Sequence, residues 1–219
     1  MGPFPWQLVT VDIDGTLTRG HGWRPIAVAF GKLPAFDETN RRFYAREIGE
    51  DEHLADLLDL ATGHTVEEVR TLVASTPRLA GIAEGVRALH AEGAKAALLS
   101  HNPPYVMQYY QESFGFDDGE GVDAQRIVAG RIGPPVGVHA DKREGLRRLL
   151  ARTGAEPRRT VHVGDGWSDA EVFPIVGGGV ALNTDLPEVR AAADLVLATD
   201  DFRAVVDALG RLEPRDPRG

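Results

Sequence analysis

The stretch LVTVDID, Leu8 to Asp14, drives an unbroken run of apolar and β-branched residues into two aspartates, with Gly15 directly behind them. A run of this kind reads as a strand buried on both faces, as in a parallel sheet covered by helices. Carboxylates are costly inside an apolar core, so Asp12 and Asp14 mark where the strand comes out of it.

The remainder of the chain alternates in the same sense. GIAEGVRALHAEG places Ile82, Val86 and Leu89 on one helical face, and AKAALLS, Ala94 to Ser100, follows as a buried strand. PPYVMQYYQESFG opens with prolines suited to a helix start, RIVAG is a weak third strand, and DKREGLRRLLARTG is helical up to Gly154. TVHVGD, GVALN and DLVLA are further strands, interleaved with the short helices SDAEVF and LPEVRAAA, and DDFRAVVDALG closes the pattern. Such alternation predicts an α/β fold, a doubly wound (Rossmann-like) parallel sheet with helices on both faces. Ligands of such sheets sit at the carboxyl ends of the strands, where Asp12, Ser100 and Asp165 all fall.

Residues 20–76 break the alternation: DEHLADLLDLATG and TVEEVRTLVAS are helical, and no strand is evident. A connection of that length exceeds an ordinary crossover and predicts an inserted α-helical cap over the strand ends, with Gly20 and Gly22 as a hinge. The expected organisation is an α/β core of residues 1–19 and 77–212, a cap of residues 20–76, and a flexible C-terminal tail of residues 213–219.

Two carboxylates at a strand end suit a hard cation, and magnesium takes oxygen ligands. A carboxylate can also attack phosphorus, while a neighbouring acid protonates the departing oxygen and then activates water. Gly15 permits a tight turn whose N–H groups face a phosphate. GDGWSDAEVF adds Asp165, which would complete a metal site, and Asp169, which would orient ligands or cap the following helix. Lys142 stands out because the chain has three lysines against twenty-one arginines; a compact ammonium suits one point charge meeting phosphate and carboxylate. His53, His64, His90, His139 and His162 show no paired metal spacing and read as surface or packed residues, and Gly177 to Gly179 read as a turn.

Composition narrows the partners. The formal charge of −9 disfavours nucleic acid and anionic membrane, although RRFYAR, Arg41 to Arg46, is locally basic and aromatic. No stretch approaches the ~18 consecutive apolar residues of a membrane span. MGPFPWQ lacks the features of a signal peptide, and cysteine is absent, so the expected setting is reducing and cytoplasmic. Oligomeric state is not legible.

Taken together, DIDGTLT, Ser100 at the end of AKAALLS, Lys142 in ADKREGL and GDGWSDAEVF resemble, in order, the four motifs of the haloacid dehalogenase-like hydrolases, from about Gln7 to Leu209. The helical insertion is similar to the cap of the phosphoserine-phosphatase-like branch. The resemblance implies Asp12 as nucleophile and Asp14 as acid/base. It implies Mg2+ held by Asp12, the Asp14 carbonyl and Asp165, and a phosphoryl group bound by Gly15, Ser100, His101 and Lys142. Thr16 and Asp169 would support that set from behind. The implied activity is a phosphatase acting on a small phosphorylated metabolite through an aspartyl-phosphate. A phosphomutase or other phosphotransferase would use the same motifs. A phosphoacceptor signalling domain or a binding protein without turnover is the alternative of a different class. The chain departs from the phosphoserine-specific pattern: TRGHGWRP offers no acid, the helix EDEHLADLLD is acidic, and His101 stands where glycine is common.

Overall fold

A computed structural model describes residues 4–218. Eight strands are present among them: β1 (Leu8–Val11), β2 (Lys95–Leu99), β3 (Asp118–Glu120), β4 (Ile127–Val128), β5 (Arg131–Ile132), β6 (Thr160–Gly164), β7 (Gly178–Leu182) and β8 (Leu195–Leu197). Six form one sheet in the order β3-β2-β1-β6-β7-β8, and every pairing in it is parallel. β1 pairs with β2 on one side and β6 on the other, so the winding reverses beside it. That reversal opens a crevice at the carboxyl ends of β1 and β6, where Asp12 and Asp165 emerge.

The apolar run of β1 is buried along its length because both faces are covered. Val9 and Val11 pack with α5 (Ile82–Ala91), α6 (Pro104–Phe114) and α10 (Phe202–Leu209), which present Val86, Tyr110 and Val205. Leu8, Ala97 and Leu99 meet Leu146 and Leu149 of α7 (Lys142–Thr153) and Val172 of α8 (Trp167–Val172). The period-two alternation of strand side chains thus feeds two separate layers. Asp141 caps α7 by accepting from the N–H groups of Arg143 and Glu144, and Gly154 ends it at φ 70°, a conformation that favours glycine. The short helix α9 (Pro187–Ala192) lies beside α8.

Between β1 and α5 stand four helices: α1 (Trp23–Ala29), α2 (Leu33–Tyr44), α3 (Glu50–Asp59) and α4 (Val66–Ser75). Thr65 and Glu68 close a reciprocal capping box at the start of α4. The two chain crossings into this segment pair with each other: Thr18 bridges Arg78, and Arg19 N–H donates to the Pro77 carbonyl at 2.8 Å.

Three local expectations fail. RIVAG does not supply the third strand of the sheet. β4 within it pairs antiparallel with β5 in a separate ribbon, and that ribbon bridges Thr65 through Arg131. The sheet position belongs instead to DGE at β3, whose half-buried residues carry no apolar signal. Gly178 and Gly179 lie inside β7 rather than in a turn; a side chain there would collide with Trp6 and Phe173. The C-terminal tail is tied down up to Arg218, with Gly219 outside the described residues. Arg215 donates to Asp194 at 2.6 Å, to the Val176 carbonyl at 2.9 Å and to the Phe173 carbonyl at 2.8 Å. A guanidinium that satisfies three acceptors offsets the entropy of ordering a tail. Arg215→Ala should therefore cost about 1–3 kcal/mol, lowering Tm by roughly 3–10 °C in a thermal melt. An unchanged Tm would show that the tail contributes nothing.

Candidate active site

A cavity of about 250 Å³ lies at the carboxyl ends of β1, β2 and β6, roofed by the helical segment. Asp12, Asp14, Gly15, Ser100, His101, Lys142 and Asp165 all line it. The strand ends therefore do converge, which sequence spacing alone could not establish.

The floor is one buried polar network. Lys142, first residue of α7, places Nζ 3.0 Å from Asp12 Oδ2 and 2.5 Å from Asp169 Oδ1. Asp169 Oδ1 also meets His162 Nε2 at 2.8 Å, and its Oδ2 accepts from the N–H groups of Asp165 (3.0 Å) and Gly166 (2.8 Å). His162 Nδ1 faces Thr10 Oγ1 at 2.9 Å, so the hydroxyl completes the chain. Burial penalises the charged forms of both Asp169 and Lys142, yet the attraction of Lys142 to Asp12 and Asp169 wins. The Asp169 carboxyl is held well below the usual range, with His162 contributing, and the Lys142 ammonium is held above its usual value.

Asp12 and Asp165 are left differently. Burial pushes the Asp165 carboxyl well above its ordinary value, and the neighbouring Asp169 and Asp12 charges add to the shift. Burial also raises Asp12, and Lys142 offsets this only in part. Thr16 Oγ1 donates to Asp165 Oδ1 at 2.6 Å, and Ile13 N–H donates to Asp12 Oδ1 at 2.7 Å. Asp12, Asp165 and Asp169 bring carboxylate oxygens within 4.8 Å of one another. Both oxygens of Asp169 are already engaged by the Lys142, His162 and backbone donors, so Asp12 and Asp165 are the pair short of positive charge. An oxygen-only donor set that is desolvated and under-neutralised fits a hard divalent cation.

Asp14 faces the other way. Its Oδ1 accepts from Gly22 N–H at 2.7 Å and its Oδ2 from Asn102 Nδ2 at 2.7 Å. Asn102 Nδ2 also reaches Ser100 Oγ at 3.0 Å, linking the end of β2 to the Asp14 carboxylate. One site expectation needs correction. The Gly15 N–H turns inward to Thr18 Oγ1 at 3.0 Å instead of facing a ligand. Gly15, at φ 76°, matters because a side chain there would overlap the Asp165 carboxylate. The His101 imidazole sends Nδ1 towards Glu50 of α3, at 3.3 Å, and its buried Nε2 meets no protein partner among the described residues.

Reading the sequence missed Asn102, His162, Thr10 and Glu50. Thr10 and His162 did carry a signal: each is a polar residue inside an otherwise apolar strand, and the register sets them opposite one another. Nothing local marks Asn102 or Glu50.

The family model of the haloacid dehalogenase-like hydrolases matches residues 6–177. The chain belongs to that family. It is 27% identical to a phosphoserine phosphatase of Streptomyces coelicolor over 93% of this chain and 50% of that protein. It is 26% identical to the phosphoserine phosphatase of Idiomarina loihiensis, covering 96% of each. A HAD-family hydrolase from Salmonella enterica serovar Typhi has the same fold: the TM-score is 0.84 at 17% identity, over 93% of this chain and 71% of that one. The chain spans about half the length of its Streptomyces coelicolor, Archaeoglobus fulgidus and Mycobacterium tuberculosis relatives.

A haloacid dehalogenase-like site of this charge pattern has a consequence for stability. A raised carboxyl takes up a proton in the folded state that the unfolded chain releases. In metal-free protein, Asp165 therefore lowers stability as pH rises from the ordinary carboxyl range through the raised folded value. Asp165→Asn keeps an acceptor for Thr16 and removes the charge. In metal-free protein at pH 7 it should raise Tm and flatten the pH dependence of Tm. A lower Tm at pH 7 would contradict this account of Asp165.

Proposed function

We propose that the chain is a magnesium-dependent phosphomonoesterase that works through an aspartyl-phosphate on Asp12, with residues 20–76 acting as its cap. The observation that carries this reading is the contrast between two carboxylates two residues apart. Asp12 is buried against Lys142 and next to Asp165, whereas Asp14 is held apart by Gly22 and Asn102. Environments that differ so much suit a nucleophile and an acid/base.

Asp12 and Asp165 would hold Mg2+, together with the Asp14 carbonyl that the family resemblance implies. Bound there, the ion supplies neutralisation of the phosphoryl oxygens. Lys142 adds a fixed positive charge beside the attacking carboxylate, and Asp169 and His162 hold that ammonium in place. An Asp12 oxygen forms a bond to phosphorus as the ester oxygen departs with a proton from Asp14. Asp14, now ionised, removes a proton from water, which attacks the aspartyl-phosphate and releases phosphate and free Asp12. Asn102 and Gly22 hydrogen-bond the Asp14 carboxyl and hold it apart from Asp12. Ser100, buried at the end of β2, is positioned to donate to a phosphoryl oxygen. A small phosphorylated metabolite is the substrate that the cavity volume admits.

The reading makes two measurable demands. Chelation should abolish release of phosphate from an aryl phosphate, and magnesium should restore it. Magnesium at 100 times its Kd should also stabilise the fold by about 2.7 kcal/mol, and this gain should disappear in Asp165→Asn. Full turnover after exhaustive chelation excludes the metal-dependent mechanism. Separately, Asp14→Asn should give a burst with an aryl phosphate followed by turnover reduced about 10²–10⁴-fold, and acid-quenched protein should carry the mass of one phosphoryl group. Asp12→Asn should give neither burst nor labelled protein. An active Asp12→Asn enzyme would exclude the covalent route.

A further inference from the structure

The cavity wall facing away from the aspartates is built from α1–α3 and the loop before α1, and it has an unusual charge balance. His21, Trp23, Phe43, Tyr44 and His53 line it, with Glu50 the one carboxylate contributed by the helical segment among the described residues. His53 stacks on Phe43, with ring centroids 4.2 Å apart and 4° between planes. Burial, reinforced by neighbouring His21, holds the His53 imidazole down to about 4, and burial likewise lowers His21 despite nearby Asp14. Both rings are therefore neutral aromatic surface near pH 7.

Positive charge is scarce there. No arginine lines the cavity among the described residues, and Lys142 is engaged by Asp12 and Asp169. The three arginines of the RRFYAR stretch are committed elsewhere. Arg41 pairs with Glu38 and Glu47, Arg42 with Glu52, and Arg46 with Glu188 while lying over Trp167. Glu50 is a third exposed. Burial pushes its carboxyl up, but His101, Lys142 and Ser168 outweigh this and keep it below the usual range, so it is ionised at neutral pH.

Resting on the phosphatase reading above, we propose that this wall selects phosphomonoesters whose alcohol carries an ammonium and no carboxylate, with Glu50 as the specificity-determining residue. An ammonium on the leaving group meets the Glu50 carboxylate and the aromatic side chains of Trp23, Phe43 and Tyr44 that line the cavity. A carboxylate on the same group meets Glu50 with no arginine and no free lysine beside it among the described residues to offset the repulsion, since His101 Nδ1 is already turned to Glu50. Phosphoserine carries both groups, so one favourable contact is set against one unfavourable contact.

A matched series isolates each contribution. O-phosphoethanolamine is phosphoserine without its carboxylate, and ethyl phosphate lacks the amine as well. With magnesium present, kcat/KM for phosphoethanolamine should exceed that for each of the other two by about 10-fold or more, corresponding to about 1.4 kcal/mol. In Glu50→Gln, the ratio of phosphoethanolamine to ethyl phosphate should collapse towards one. The ratio discounts any general effect of the substitution on folding or on closure over the site, because both substrates need the same folded enzyme. Phosphoserine turned over as well as phosphoethanolamine, or a ratio unchanged in Glu50→Gln, overturns the proposal. Hydrolysis of an aryl phosphate without this selectivity rejects Glu50 as the selector and leaves the phosphatase standing. Release of phosphate from none of these esters removes the phosphatase reading and the selectivity with it.

Discussion

Lys142 holds the centre of this protein together. Its ammonium is buried between Asp12 on the sheet and Asp169 on α8, and it starts α7. Removing such a group from water costs several kcal/mol unless its partners are close and fully hydrogen-bonded. Here they are. Asp169 spends its oxygens on Lys142, His162 and two backbone N–H groups, and His162 is completed by Thr10 from the neighbouring strand. The network ties the α7–α8 layer to β1 and β6, and it fixes the position of the Asp12 carboxylate.

One ammonium among Asp12, Asp165 and Asp169 leaves the floor short of positive charge, and the deficit falls on Asp12 and Asp165. A structure that keeps two desolvated carboxylates side by side gives up stability for chemistry, the exchange expected where a cation and a phosphoryl group are to be bound. Asp14 escapes the same crowding because its carboxylate turns towards Gly22 and Asn102. Two adjacent acids thereby receive unlike surroundings from one tight turn.

The helical segment completes the cavity without adding positive charge. Arg41 and Arg42 are spent on glutamates, His53 is buried against Phe43, and Glu50 of α3 reaches across to His101 of the loop after β2. The segment's contacts also recruit the β4–β5 ribbon, which bridges Thr65 through Arg131 and receives the Gly63 N–H at the Ile132 carbonyl. The boundary between the sheet layers and the helices above them is therefore not a single cut in the chain.

The sequence by itself determined the parallel α/β class, the helical interruption after the first strand, and the positions of Asp12, Ser100 and Asp165 at strand ends. Apolar periodicity carries those features and is local, whereas the convergence of these residues with Lys142 on one cavity came from the tertiary structure. The sequence did not determine β3, whose DGE has no apolar pattern, nor the anchoring of the tail, which rests on Arg215 reaching Asp194. Only the tertiary structure decided that Gly15 clears room for Asp165, that His101 faces Glu50, and that Asn102 holds Asp14 across 88 residues of chain. Hydrogen-bond partners and the sharing of a buried charge depend on which residues folding brings within about 3 Å, and no spacing along the chain encodes that distance.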